Sequence, residues 1–82
     1  MEMKTAFVFT ISEAEEILQT ALDNADLKLI AYEGTYPQLF SDTQNLDAGE
    51  IDQRMAIYLN VPECETWLVD GKMIALVDQN DV

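Results

Sequence analysis

The sequence predicts an α+β two-layer sandwich, with helices packed on one face of a mainly antiparallel sheet. Three observations carry that expectation. Apolar residues alternate with a period of two near both ends of the chain, a 3.6-residue period follows the first strand, and Asp70-Gly71 joins two β-rich runs as a type I′ hairpin. With 82 residues the chain has the length of a single domain, 1–82, and at 49% hydrophobic it holds too much apolar material for a disordered acidic chain.

Met1 to Ile11 reads as a strand, with Met3, Thr5, Phe7, Phe9 and Ile11 on one face. Ser12-Glu-Ala-Glu15 then predicts a capping box that starts a helix, and early glutamates suit the positive end of the helix dipole. Ala14, Ile17, Leu18, Ala21, Leu22 and Ala25 recur on one stripe, and Asn24 and Asp26 end the helix. Leu27 to about Glu33 returns to the strand period, and Gly34 allows a reversal. Thr35 to Phe40 is expected as an edge strand, because Pro37 has no amide to donate to a central ladder. The polar stretch Ser41 to Asp47 is expected as a flexible loop.

Between Asp47 and Val61 two readings compete. Met55, Ile57, Leu59 and Val61 alternate as a strand would, whereas a cap at Asp47-Ala-Gly-Glu50 and an apolar face of Ile51, Met55, Tyr58 and Leu59 favour a helix. The helix is preferred, since a strand would leave a structureless connection of about a dozen residues, and Pro62 ends either element. In the hairpin formed by Thr66 to Val69 and Lys72 to Val77, Trp67 should lie across from Ile74 and Leu68 across from Met73. Gln79 to Val82 should fray. The order is β-α-β-(β)-α-β-β, which a ferredoxin-like variant would satisfy.

Sixteen Asp and Glu against four Lys and Arg give a formal net charge of −12. Direct binding to nucleic acid or anionic lipid is therefore disfavoured, and a charged partner should be basic. The absence of His removes the commonest general base and metal ligand. No metal is expected, because neither Asp23 with Asp26 nor the group Asp42, Asn45, Asp47, Glu50 and Asp52 has the spacing of a calcium loop. No cofactor is expected either, since Gly34, Gly49 and Gly71 are isolated and form no phosphate loop. A lone cysteine cannot form an internal disulfide, and Glu63 and Glu65 should raise the pKa of Cys64, making it a packing residue. With neither a membrane span nor a signal peptide in view, the expected location is cytoplasmic, and no catalytic residue is assigned.

The first helix lacks Lys and Arg between Ser12 and Asp26, whereas solvated helix faces commonly interleave both signs. Glu13, Glu15, Glu16, Asp23 and Asp26 are placed opposite its apolar stripe, with axial rises of about 4.5 Å from Glu13 to Glu16 and about 10.5 Å from Glu16 to Asp23. This stripe points to a non-enzymatic inhibitor that docks, as a nucleic-acid mimic would, on a basic protein such as a nuclease or another nucleic-acid-binding protein. Phage anti-defence proteins, antitoxins and immunity proteins solve the same physical problem. Tyr36, Phe40 and Trp67 would anchor the contact. The alternative is a small scaffold subunit that forms a homodimer or larger oligomer through its sheet edge or hairpin, using Trp67 and the Thr35 to Phe40 segment. Phe7 and Phe9 are assigned to the core.

Overall fold

The computed structural model describes residues 3–20, 27–31, 33–34, 36–40 and 45–82. Two antiparallel three-stranded sheets share a layer of two helices, an α+β arrangement. The first sheet runs β1-β6-β5, built from β1 (Lys4–Thr10), β5 (Glu65–Val69) and β6 (Lys72–Asp78). The second runs β2-β3-β4, from β2 (Lys28–Ile30), β3 (Gln38–Phe40) and β4 (Asn45–Leu46). Helix α1 (Ile11–Thr20) touches β1, β2 and β6, and α2 (Ala48–Leu59) touches β3, β4 and β5, so the helices bridge both sheets.

The outer edge of β5 carries Gly34 and Asp52 rather than a strand of the second sheet. Gly34 donates its backbone N–H to the Leu68 carbonyl at 2.8 Å, and the Asp52 carboxylate receives the Thr66 N–H at 3.0 Å. A further strand cannot pair there. The ferredoxin-like variant, which needs its strands in a single sheet, is not formed, because β2 and β3 pair apart from β1, β5 and β6. Nor is the segment ending at Phe40 an edge. β3 pairs on both sides, and Pro37 precedes the strand, buried, where its missing amide interrupts no ladder bond. The expected loop also ends early: Asn45–Leu46 forms β4, while 41–44 lie outside the described residues.

Helix α1 is capped two residues earlier than expected, at Thr10. Glu13 donates its N–H to Thr10 Oγ1 at 3.1 Å and its Oε1 accepts from the Thr10 N–H at 3.0 Å, so the box is Thr10-Ile-Ser-Glu13 rather than Ser12 to Glu15. Both frames obey the same spacing rule. The earlier one turns Ile11 inward from the strand to pack against the core, beside Ala14, Ile17 and Leu18. Ala21, Leu22, Asn24 and Ala25 lie outside the described residues.

Residues 48–59 are helical, as preferred, and Asp47 caps them by accepting from the Glu50 N–H at 3.0 Å. Asn60, left-handed at φ 59, stops the helix before Pro62 can. Ile51 and Met55 face the core with Ala56, and Leu59 is half-buried. Tyr58 does not join them: in the last turn it stands 57% exposed. The hairpin has the expected register, Trp67↔Ile74 and Leu68↔Met73, with positive φ at both Asp70 and Gly71. The C-terminus does not fray as expected. Gln79–Asp81 forms a 3-10 turn in which Asp78 accepts from the Asn80 N–H, and Gln79 donates to the Met3 carbonyl.

The core joins Ala14 and Leu18 of α1, Ile51 and Met55 of α2, Leu39 and Leu46 of the second sheet, and Leu68, Met73 and Ala75 of the first. Phe7 and Phe9 pack against this cluster but remain half-buried rather than enclosed, because β1 is an edge strand. No helix among the described residues is long and apolar enough to cross a membrane.

Candidate functional site

Helix α1 places Ala14 and Leu18 against the sheet, which turns Glu13 and Glu16, one turn apart, toward the C-terminal part of α2. Between the two helices lies an open groove of about 430 Å³, lined by Phe9, Glu13, Glu16, Ile17, Arg54, Ile57 and Tyr58. Its apolar wall is accessible: Ile57 is 68% exposed, and Tyr58 meets Phe9 edge-on with ring centroids 6.4 Å apart. Glu13 is oriented by its reciprocal bonds with Thr10, and the Thr10 backbone N–H holds its carboxyl below the usual carboxylate range. The rim thus carries a fixed carboxylate at Glu13, a second at Glu16, and the Arg54 guanidinium near them. Such a groove can receive an apolar side chain while its carboxylates meet a cation.

The other expected site residues are distributed differently. Glu15 flanks the stripe on the side away from Glu13 and is half-buried, so it does not reach the groove. Asp23 and Asp26 lie outside the described residues, as do Tyr32, Thr35 and Asp42. Phe40 is half-buried in the middle strand of the second sheet.

Trp67 and Tyr36 do come together, but on the opposite face of the first sheet from the helices. Leu68 points into the core, so Trp67 points away from it; its ring lies 5.7 Å from that of Tyr36 at 32°. The Tyr36 hydroxyl donates to Glu65 Oε1 across 3.4 Å, and the charge of Glu65 raises the phenol's pKa. The expected acidic and aromatic elements therefore occupy two surfaces.

Sequence reasoning missed Ile57, Tyr58 and Phe9 as groove residues. The available signal was Ile57, a large apolar residue off the core stripe of an amphipathic helix.

Cys64 is half-buried, and its thiol donates to the Asp52 backbone carbonyl at 3.2 Å. Burial and then the Asp52 charge push its pKa up to about 11, so the expected direction holds for a different reason than neighbouring Glu63 and Glu65. Asp52 itself is raised by burial, which outweighs its hydrogen bonds from Thr66. Among the described residues, no three Cys, Asp or Glu side chains converge as metal ligands would. Compared with known proteins, the chain matches no protein-family model, no curated protein and no solved structure.

Proposed function

We propose that this protein is a small, non-enzymatic, cytoplasmic inhibitor that docks through the α1–α2 groove on a basic, nucleic-acid-handling protein and competes there with the nucleic acid. The observation that supports this reading is the junction of Glu13 and Glu16 with the exposed apolar side chains of Ile57 and Tyr58. A Lys or Arg of the partner would meet the carboxylates while a neighbouring apolar side chain enters between the helices. Carboxylates on a chain of net charge −12 would speed the encounter and select for basic partners, and the apolar wall would lengthen the contact. Asp23 and Asp26, on the same helical stripe by sequence, extend the acidic surface in this reading.

The test is capture of partners from the native host at low salt, identification by mass spectrometry, and measurement of the purified pair. Affinity should fall steeply with salt, should fall with Glu16→Lys and with Tyr58→Ala, and nucleic acid should displace the protein. A partner whose affinity ignores salt and both substitutions would refute the groove as the docking site.

A further inference from the structure

We infer that two copies of this chain associate through β1, antiparallel across a two-fold axis at Phe7, joining their three-stranded sheets into one continuous sheet. The first observation is an asymmetry between the two edges of the β1-β6-β5 sheet. Hairpin closure at Val69↔Lys72 makes that a hydrogen-bonded pair, so β6 presents Met73, Ala75 and Val77 to β1, where they pair with Phe9, Phe7 and Thr5. By the same alternation, Leu68 and Thr66 direct their backbone groups outward from β5, and there Gly34 and Asp52 satisfy them. At the opposite edge Lys4, Ala6, Val8 and Thr10 also direct their backbone groups outward. Of these, Thr10 gives its N–H to Glu13, and no backbone hydrogen bond among the described residues covers Ala6 or Val8. Among the described residues, one edge is closed and the other is open.

The second observation is charge. The solvent face of this sheet carries Ala6, Val8, Ile74, Leu76, Trp67 and Val69, and its charges nearly balance, with Lys4 and Lys72 against Glu65, Asp78 and the adjoining Glu63. In a chain of net charge −12, this is a nearly balanced, largely apolar surface. A basic partner would find an excess of only one carboxylate on it. A second copy would meet little local like-charge penalty, and a two-fold contact requires such self-compatibility.

The third observation is register. Centring the axis on Phe7 pairs Thr5 to Phe9 of β1 with the same segment of the second copy, with Ala6 opposite Val8 as the hydrogen-bonded pair on either side of the axis, while Thr10, whose N–H is held by Glu13, ends the ladder unpaired with Lys4. Val8, 58% exposed in one copy, is then covered by Ala6 of the second copy and lies diagonal to the second Val8. On the inner face the half-buried Phe7 meets its own counterpart, and Phe9 meets Thr5. The partial exposure of both phenylalanines at the strand edge is relieved by the same contact.

The experiment is sedimentation equilibrium of the whole chain over a concentration series at low and high NaCl. We expect twice the monomer mass at high concentration. Raising salt from about 0.05 M to about 0.5 M should tighten the dimer roughly threefold or more, because it screens the mutual repulsion of the two acidic bodies. Val8→Glu, an exposed change whose fold is checked by circular dichroism, should weaken the dimer about tenfold by setting like charges diagonally across the axis. Adding Ala6→Lys to the same chain should restore it, since residue 6 of one copy faces residue 8 of the other only in this register. A monomer at every concentration and salt, a dimer indifferent to Val8→Glu, or a failure of Ala6→Lys to rescue would overturn the inference. Glu16→Lys, which alters the groove and not β1, should leave the dimer in place, so the groove reading and this one fail separately.

Discussion

Replacing Asp52 with alanine should remove about 2–4 kcal/mol of folding stability, whereas Asp52→Asn should be neutral or slightly stabilising at neutral pH. Asp52 stands on α2 and its Oδ1 accepts two hydrogen bonds from Thr66 of β5, one from the backbone N–H at 3.0 Å and one from the hydroxyl. Thr66 is fully buried, so truncation leaves two donors without an acceptor, each at roughly 1–3 kcal/mol. The loss is partly offset because a half-buried carboxylate is also removed, one whose pKa burial has raised. Asparagine keeps the accepting oxygen and discards the charge. For a domain of this size each kcal/mol moves Tm by about 4–8 °C, so the alanine variant should melt roughly 10–25 °C lower. Urea denaturation followed by the fluorescence of Trp67, the only tryptophan and next to Thr66 on β5, would measure the difference. The linkage has a definite sign. A carboxyl whose folded pKa is raised binds its proton more tightly when folded, so wild-type stability decreases as pH rises from the unfolded value through the folded one. The advantage of Asp52→Asn over wild type should therefore be present at neutral pH and shrink on acidification through that window. Equal stabilities for the alanine and asparagine variants would refute the account of Asp52 as an acceptor for buried donors.

Two further predictions separate competing frames. Thr10→Ala should destabilise the domain by about 1 kcal/mol in the same denaturation assay, and Ser12→Ala should change almost nothing, because the capping box runs from Thr10 to Glu13. Cys64 should react with iodoacetamide at pH 7.5 on the order of 10²-fold more slowly than an ordinary thiol, its rate rising only as pH approaches 11. Mass spectrometry over time gives both rates.

Much of the fold was legible because its signals are local. Asp70-Gly71 specifies positive φ at two adjacent residues, which sets the turn, and the turn sets the register that places Trp67 across from Ile74. The cap at Asp47 and the stripe through Ile51 and Met55 likewise lie within a few residues of the helix they define. The start of α1 was ambiguous because Thr10-x-x-Glu13 and Ser12-x-x-Glu15 are chemically alike, and the choice depends on tertiary burial of Ile11. The division into two sheets was not legible at all, since strand pairing and edge contacts are long-range, as with Gly34 and Asp52 reaching Leu68 and Thr66 across 34 and 14 positions of chain. For the candidate site, the spacing of Glu13 and Glu16 was readable as one helix face. That Ile57 and Tyr58 of α2 would stand opposite them is a property of helix packing, which no single periodicity encodes.

The same distance dependence explains why the net charge of −12 leaves two kinds of contact open on one small chain. Screening at physiological salt confines each carboxylate's influence to about 8 Å, so a surface is acidic only where the carboxylates stand, not because the total is large. Around Glu13 and Glu16 a cation would be attracted, and added salt must weaken that attraction. On the solvent face of the β1-β6-β5 sheet Lys4 and Lys72 nearly balance Glu63, Glu65 and Asp78, so the local field is small and the long-range repulsion between two whole chains dominates. Added salt must weaken that repulsion as well, and there the consequence is tighter association. Salt titrations of the two contacts must therefore have opposite slopes. A β1 dimer that loosened with salt would mean that ion pairs hold it, which the neutral apolar row of Ala6, Val8, Ile74 and Trp67 cannot supply.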